Sequence, residues 1–227
     1  MPSYRVVTGS ISLAVFDVVG QDGSELSFIG HTGLANSAGS QNAANVPVLD
    51  MGPPLHGRGT PGHIRADVVG SAVLTDDDVQ KIKTFIDRHA NEHSSFLQFS
   101  RTELITFASK MYIIRPHAKP LYEEDGRYAR MRFSCAGFVF EAYRKARIKL
   151  LEPKALPPVD MSVIRLCYPV QVRLMEDGRV SPEDLGLAND GPWPVLLCGY
   201  LFHALNRDGG AVRREPYVPR AEHRHFT

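Results

Sequence analysis

Cysteine is scarce in this chain: the 227 residues include only Cys135, Cys167 and Cys198. Three scattered thiols are too few for a disulfide framework or a zinc cluster, and no CxxC pair occurs. Free thiols of this kind are typical of a reducing compartment, so we expect a cytoplasmic protein.

The sequence also lacks a long apolar run and an excess of charge of one sign. The formal net charge is +1, and the N-terminus has neither the apolar stretch nor the cleavage site of a signal peptide. No window approaches the length of a membrane span. We therefore expect no nucleic acid partner and no integral membrane segment. What remains is an ordinary composition, 43% hydrophobic and 22% charged, which predicts one domain over residues 1–227.

The first third of the chain has the pattern of β-strands. Residues 4–19 and 25–35 flank the turn sequence QDGS and predict a hairpin. Further strands are predicted at 48–51 and 63–72. The intervening residues 52–62 (GPPLHGRGTPG) are so rich in glycine and proline that we expect no regular structure there.

The pattern then changes to a helical period. Thr75 is a good N-cap, and three aspartates follow it at the positive end of the helix dipole. Helices are predicted over 75–91, 133–147 and 183–205, the last ended by Gly209-Gly210, with a loop at 116–127. A sheet followed by helices predicts an α+β fold.

The segment that indicates chemistry is 130–150, RMRFSCAGFVFEAYRKARIKL, in which Cys135 begins an amphipathic helix. Unpaired N–H groups and about half a positive charge at a helix start favour the thiolate. The same N–H groups stabilise an oxyanion. Cys135 is therefore a candidate nucleophile, against the alternative that it is a small buried apolar residue.

Residues 134–150 resemble the nucleophile segment of NlpC-type papain-like cysteine peptidases. The resemblance rests on Cys135, Gly137, Phe138, Val139, Tyr143, Arg144 and Ala146. Ala136 stands where serine is usual in that family, and Arg147 where glycine is usual.

A second resemblance lies upstream, where residues 28–35 (FIGHTGLA) are similar to the family's Gly-His-x-Gly strand. The strand VLDM and then GHIR follow, so the order is histidine, polar residue, cysteine. That order is the one of the circularly permuted, YiiX-like branch. The resemblance implies a permuted papain-like fold, with an antiparallel sheet packed against the nucleophile helix.

The same resemblance implies the site residues. His31 is expected to be the general base and Asp50 the residue that orients it, with His56 and His63 as rivals of Asp50. Downstream of Cys135, His203 is the one candidate base outside the basic tail at 213–225, which we expect to be a solvated terminus.

These residues together predict a cysteine hydrolase or acyltransferase, with peptidase or amidase activity favoured over ester or thioester hydrolysis. It would act through a Cys-His dyad or triad and form a thioester intermediate. The expected substrate is a small molecule, a peptide or an acyl compound, and we expect no metal and no organic cofactor. The alternative is a catalytically inactive binding or scaffold module of the same fold. Residues 151–227 are expected to be a family-specific extension, and the oligomeric state stays open.

Overall fold

A computed structural model describes residues 16–22, 29–36, 48–51, 55–58, 68–71, 74–93, 118–122 and 124–224. Helix and antiparallel sheet are both present, in agreement with the α+β prediction. His63 lies outside the described residues.

Five short strands form an antiparallel sheet in the order β4-β3-β2-β1-β5. They are β1 (Phe16–Asp22), β2 (Ile29–Asn36), β3 (Val48–Met51), β4 (Leu55–Arg58) and β5 (Val68–Ser71). The predicted pairing of β1 with β2 is confirmed, although Gln21 and Asp22 of the expected turn belong to β1. The prediction of no regular structure at 52–62 is wrong for β4, which is an edge strand.

A second sheet has two strands, β6 (Ala118–Tyr122) and β7 (Tyr128–Phe133), so the predicted loop at 116–127 is wrong in part. Pro120 lies within β6, and a strand that is paired on one side only tolerates proline. The connecting turn is stabilised by Asp125, whose carboxylate accepts a hydrogen bond from the Arg127 backbone N–H at 3.0 Å.

Helix α1 (Asp76–His93) begins as predicted. Thr75 Oγ1 accepts a hydrogen bond from the Asp78 N–H at 3.2 Å, and the Asp78 carboxylate accepts one from the Thr75 N–H at 2.9 Å. This reciprocal capping box satisfies two donors that a helix start would otherwise leave open. Val79, Ile82 and Phe85 form the buried stripe of the helix.

Helix α2 (Cys135–Lys145) follows β7 directly. Phe133, predicted as helical, is the last residue of β7, and Ser134 is the N-cap. The rings of Phe85, Phe133 and Phe138 pack against one another at centroid distances of 5.5–5.9 Å and join α1, β7 and α2. This packing fixes where the first turn of α2 lies.

The chain after residue 151 forms short helices rather than the single long one predicted over 183–205. They are α3 (Met161–Cys167), α4 (Pro169–Glu176), α5 (Pro182–Leu185), α6 (Cys198–Leu205) and α7 (Gly209–Arg214), with 3-10 helices at Pro153–Ala155 and Ala221–Arg224. Gly186 ends α5 with φ of 84°, and prolines at 192 and 194 follow. Gly209 and Gly210 begin α7, capped by Asp208, instead of ending α6.

Helices α2 and α6 both pack on the five-stranded sheet, α2 against β2 and α6 against β1, β2 and β5. One cluster of buried apolar side chains runs from Leu34 through α1 and α2 to Val212. The C-terminal part of the chain therefore shares the core that holds α2. None of the helices in the described ranges has the length and apolar character needed to cross a membrane.

The basic residues Arg213, Arg214 and Arg220 of the expected solvated terminus are exposed, whereas the last described segment packs on α6. A Cβ added to Gly199 of α6 would lie 2.6 Å from the Arg224 carbonyl oxygen, so the 3-10 helix Ala221–Arg224 runs directly over α6. Only glycine allows this close approach.

Candidate functional site

Cys135 is the first residue of α2, in agreement with its predicted place at a helix start. The Ser134 Oγ accepts a hydrogen bond from the Gly137 N–H at 2.9 Å and closes the first turn. Ser134 and Cys135 are both buried, with 3% of Cys135 exposed. The thiol therefore lies among the aligned N–H groups of the helix start, in surroundings shielded from water.

A second thiol lies beside Cys135. The Sγ of Cys198 is 3.7 Å from the Sγ of Cys135, and it is 3.8 Å from the Thr32 hydroxyl of β2. Cys198 is the first residue of α6, so two helix starts converge on one pair of sulfur atoms. Cys198 is 4% exposed and Thr32 1%, which makes this a buried polar cluster inside the core.

Cys167, the last residue of α3, and Tyr168, which follows it, lie near this cluster. Burial and, to a lesser extent, negative charge on Cys135 raise the pKa of Cys167 to about 12. Burial and the same charge also raise the pKa of Tyr168, whose hydroxyl donates to the Leu196 carbonyl at 3.4 Å. Ionisation of Cys135 therefore raises the pKa of both Cys167 and Tyr168.

The pKa of Cys198 is held well above its usual range, first by its hydrogen bond with Cys135 and then by burial. Either sulfur can be the donor of the contact between Cys135 and Cys198. The Cys198 S–H can donate to a thiolate on Cys135, which is the interaction that stabilises a charged sulfur in a buried site.

The predicted partners of Cys135 are placed by the backbone of the sheet. His31 lies in β2, opposite Gln21 of β1. Asp50 lies in β3 opposite Gly33, two residues along β2 from His31, and His56 of β4 lies opposite Asp50. The side chains of these three lie outside what the structure describes.

His203, the downstream alternative, lies in the last turn of α6, whereas Cys198 begins that helix. Its ring is 4.7 Å from the ring of His223 and 5.2 Å from that of Phe202. His203 therefore belongs to an aromatic cluster at the end of α6 remote from the two thiols.

Sequence reasoning did not identify Cys198 and Thr32 as neighbours of Cys135. The Cys135–Cys198 contact joins residues 63 apart, and the Cys198–Thr32 contact joins residues 166 apart. No local pattern encodes such contacts. One signal was available, because Cys198 stands at a helix start just after the prolines at 192 and 194.

A cavity of about 890 Å³ lies on the other part of α2, between α1, β7 and residues 149–154. The residues that line it include three aromatic side chains, Phe85, Phe133 and Phe140, and three lysines, Lys145, Lys149 and Lys154. Cys135 is not among the described residues that line it. Helix α2 thus gives its first residue to the thiol cluster and its C-terminal half to the cavity.

Among the described residues, no group of three or more His, Cys, Asp or Glu side chains is arranged to hold a metal ion. Comparison of the chain with protein-family models, curated proteins and solved structures finds no match in any of the three. The chemistry of the site therefore has to be argued from the residues themselves.

Proposed function

We propose that the protein is a cysteine hydrolase whose nucleophile is Cys135. The observation that supports this is the place of Cys135 at the capped first turn of α2, beside the thiol of Cys198. A helix start and a hydrogen-bond donor both favour the thiolate, which is the reactive form of cysteine.

In this proposal His31 is the general base and Asp50 orients it. Helix α2 packs on β2, the strand that contains His31, and Asp50 lies on the neighbouring strand at a diagonal position. The chain order β2, β3, α1, α2 is the order expected for a permuted papain-like fold. His56, opposite Asp50, remains the rival for the orienting role.

The proposed reaction is acyl transfer through a thioester. The Cys135 thiolate attacks the carbonyl carbon of an amide, ester or thioester, and His31 protonates the leaving group. The Gly137 N–H is taken by Ser134, so the N–H of Ala136 is the donor at the helix start that we assign to the oxyanion. Water, or an acceptor amine or alcohol, then resolves the thioester, with amide substrates favoured.

The proposed setting is the cytoplasm, where a reducing environment would keep the three thiols free. The expected substrate is a peptide or a small amide or acyl compound, and no cofactor takes part.

The alternative function is a binding module of the same fold without catalysis, and the burial of Cys135 favours it. With 3% of the residue exposed, a substrate carbonyl reaches the sulfur only if neighbouring groups move. Among the described side chains of β2, Thr32 is the one that contacts the thiol cluster, and a hydroxyl cannot replace an imidazole as base.

The test is the rate of iodoacetamide labelling of Cys135 as a function of pH, read by peptide mass spectrometry. We expect fast labelling well below pH 8.5, the ordinary pKa of cysteine, because the thiolate is favoured. His31→Ala should shift the reaction to higher pH. His203→Ala is the matched control and should leave the profile unchanged.

Slow labelling that is identical in wild type and His31→Ala would support the inactive module. A shift with His203→Ala alone would reassign the base. On any amide or ester substrate that the wild type cleaves, full turnover by Cys135→Ala would contradict the proposal outright.

A further inference from the structure

We propose that Cys135 and Cys198 form a reversible disulfide when a hydroperoxide oxidises Cys135, so that the oxidation state of this pair controls whether the Cys135 thiol is available. The proposal rests on the geometry of the two thiols and does not require that the protein be a hydrolase.

The first support is the distance between the two sulfur atoms, 3.7 Å. A disulfide bond is about 2.0 Å long, so the sulfurs must approach by roughly 2 Å for the bond to form. Both cysteines are first residues of helices, and both helices pack on β2. The two backbones are therefore held in place by a common sheet.

The second support is the difference between the two thiols. The pKa of Cys198 is raised by its hydrogen bond with Cys135 and by burial. Cys135 begins the capped helix α2, whose start favours a thiolate, so we assign the first reaction with the oxidant to Cys135. Once Cys135 is a neutral sulfenic acid, the interaction that raised the pKa of Cys198 is removed, and Cys198 ionises more readily.

The chemistry balances in two steps. The Cys135 thiolate attacks one oxygen of the peroxide; an S–O bond forms, the O–O bond breaks, and hydroxide leaves. Sulfur loses two electrons and the peroxide gains them. The Cys198 thiolate, whose proton passes to water, then attacks the Cys135 sulfur; the S–S bond forms, the S–O bond breaks, and a second hydroxide leaves.

Cys167 is the competing thiol, and the structure argues against it. The sulfur–sulfur contact described in the site joins Cys135 to Cys198. The burial of both partners also limits attack to small oxidants, for which hydrogen peroxide is the simplest probe.

The three cysteines fall in three different tryptic peptides, 133–144, 166–173 and 180–207. The full chain is reduced, freed of reductant, treated with hydrogen peroxide, alkylated with iodoacetamide and digested without reduction. We expect peptide 133–144 linked to 180–207 with loss of two hydrogens, and its disappearance after dithiothreitol. Cys167→Ser should retain the link. Cys198→Ser should lose it and accumulate Cys135 sulfenic acid, detected as a dimedone adduct.

The disulfide-linked peptides of the wild-type protein alone decide the question, so the test does not depend on whether a variant folds. A link from 133–144 to 166–173, a link between two chains, or full alkylation of Cys135 after peroxide would each overturn the proposal. If the disulfide forms but no substrate is turned over, only the hydrolase assignment is contradicted. If substrate is turned over but the disulfide does not form, only the proposed redox pair is contradicted.

Discussion

The thiols of Cys135 and Cys198 are close enough to share a hydrogen bond in which either sulfur can be the donor. When Cys135 is ionised, the Cys198 S–H is the donor and the Cys135 sulfur accepts. A donor of this kind stabilises the charged form of its partner. In a site with little water, one such donor has a large share in setting how readily Cys135 ionises.

We therefore expect Cys198→Ala to move the pH profile of Cys135 labelling upward by roughly 1 unit, the size of one hydrogen bond to a charged group. Cys198→Ser is the matched control, because its hydroxyl can still donate, and should keep the profile close to that of the wild type. The measurement is the rate of iodoacetamide incorporation into peptide 133–144 between pH 5 and pH 10. Equal profiles for the alanine variant and the wild type would show that the thiol pair has no such role.

Helix α2 ends in a Schellman motif. The Ile148 N–H donates to the Tyr143 carbonyl and the Arg147 N–H to the Arg144 carbonyl, each at 3.0 Å. Arg147 closes the motif with φ of 62°, a left-handed conformation that glycine adopts without strain. Arg147 is thus a strained residue at the end of the helix that begins with Cys135.

Arg147→Gly should raise the free energy of unfolding by about 0.5–1 kcal/mol, because relief of the left-handed strain outweighs the greater freedom of glycine in the unfolded chain. Arg147→Ala is the control, since it removes the same exposed charge and retains the strain. Urea unfolding at neutral pH measures both. An alanine variant as stable as the glycine variant would mean that the arginine side chain, not its backbone, is the cause.

Helices α1 and α2 could be predicted from the sequence because their signals are local. Thr75 and Ser134 cap the first turns, and the apolar residues recur at helical spacing within each segment. The long helix expected at 183–205 is interrupted for one local reason and one long-range reason. Gly186 adopts a left-handed conformation there, and the bridge between Val159 and Trp193 holds the chain extended.

The neighbours of Cys135 could not be predicted in this way. Its contact with Cys198 exists only because α2 and α6, which belong to distant parts of the chain, pack on the same strand. The pairing of His31, Asp50 and Cys135 expected from the family resemblance stays a prediction. Its test is the labelling experiment with His31→Ala.

At the scale of the whole molecule, an ion pair joins α1 to α7, the first and the last α-helix in the part of the chain that the structure describes. The Arg213 Nη1 of α7 is 2.7 Å from the Asp78 Oδ2 of α1, across 135 residues of sequence. Burial disfavours the Asp78 carboxylate, but hydrogen bonds from Arg213 and Thr75 outweigh it and lower its pKa. The same carboxylate thus closes the α1 capping box and holds the C-terminal part of the chain against α1.

Because the pKa of Asp78 is lower in the folded protein than in the unfolded chain, the free energy of unfolding depends on pH. The unfolded chain takes up the Asp78 proton near pH 3.9, before the folded protein does, so the stabilisation is complete above that pH and is lost as the pH falls further. We expect Arg213→Gln to reduce the free energy of unfolding by about 1 kcal/mol at pH 7, a modest value because solvent screens the half-exposed guanidinium. The difference in the free energy of unfolding between Arg213→Gln and the wild type should disappear as the pH drops below about 4.

Urea unfolding of both proteins from pH 7 to pH 2.5 measures that gap, and Arg214→Gln removes a neighbouring charge as the matched control. If the control loses as much stability as Arg213→Gln, net charge is responsible and the ion pair is not. If instead the gap for Arg213→Gln persists at pH 2.5, the arginine acts through packing of its aliphatic stem on α1, because a protonated Asp78 no longer offers it a charge.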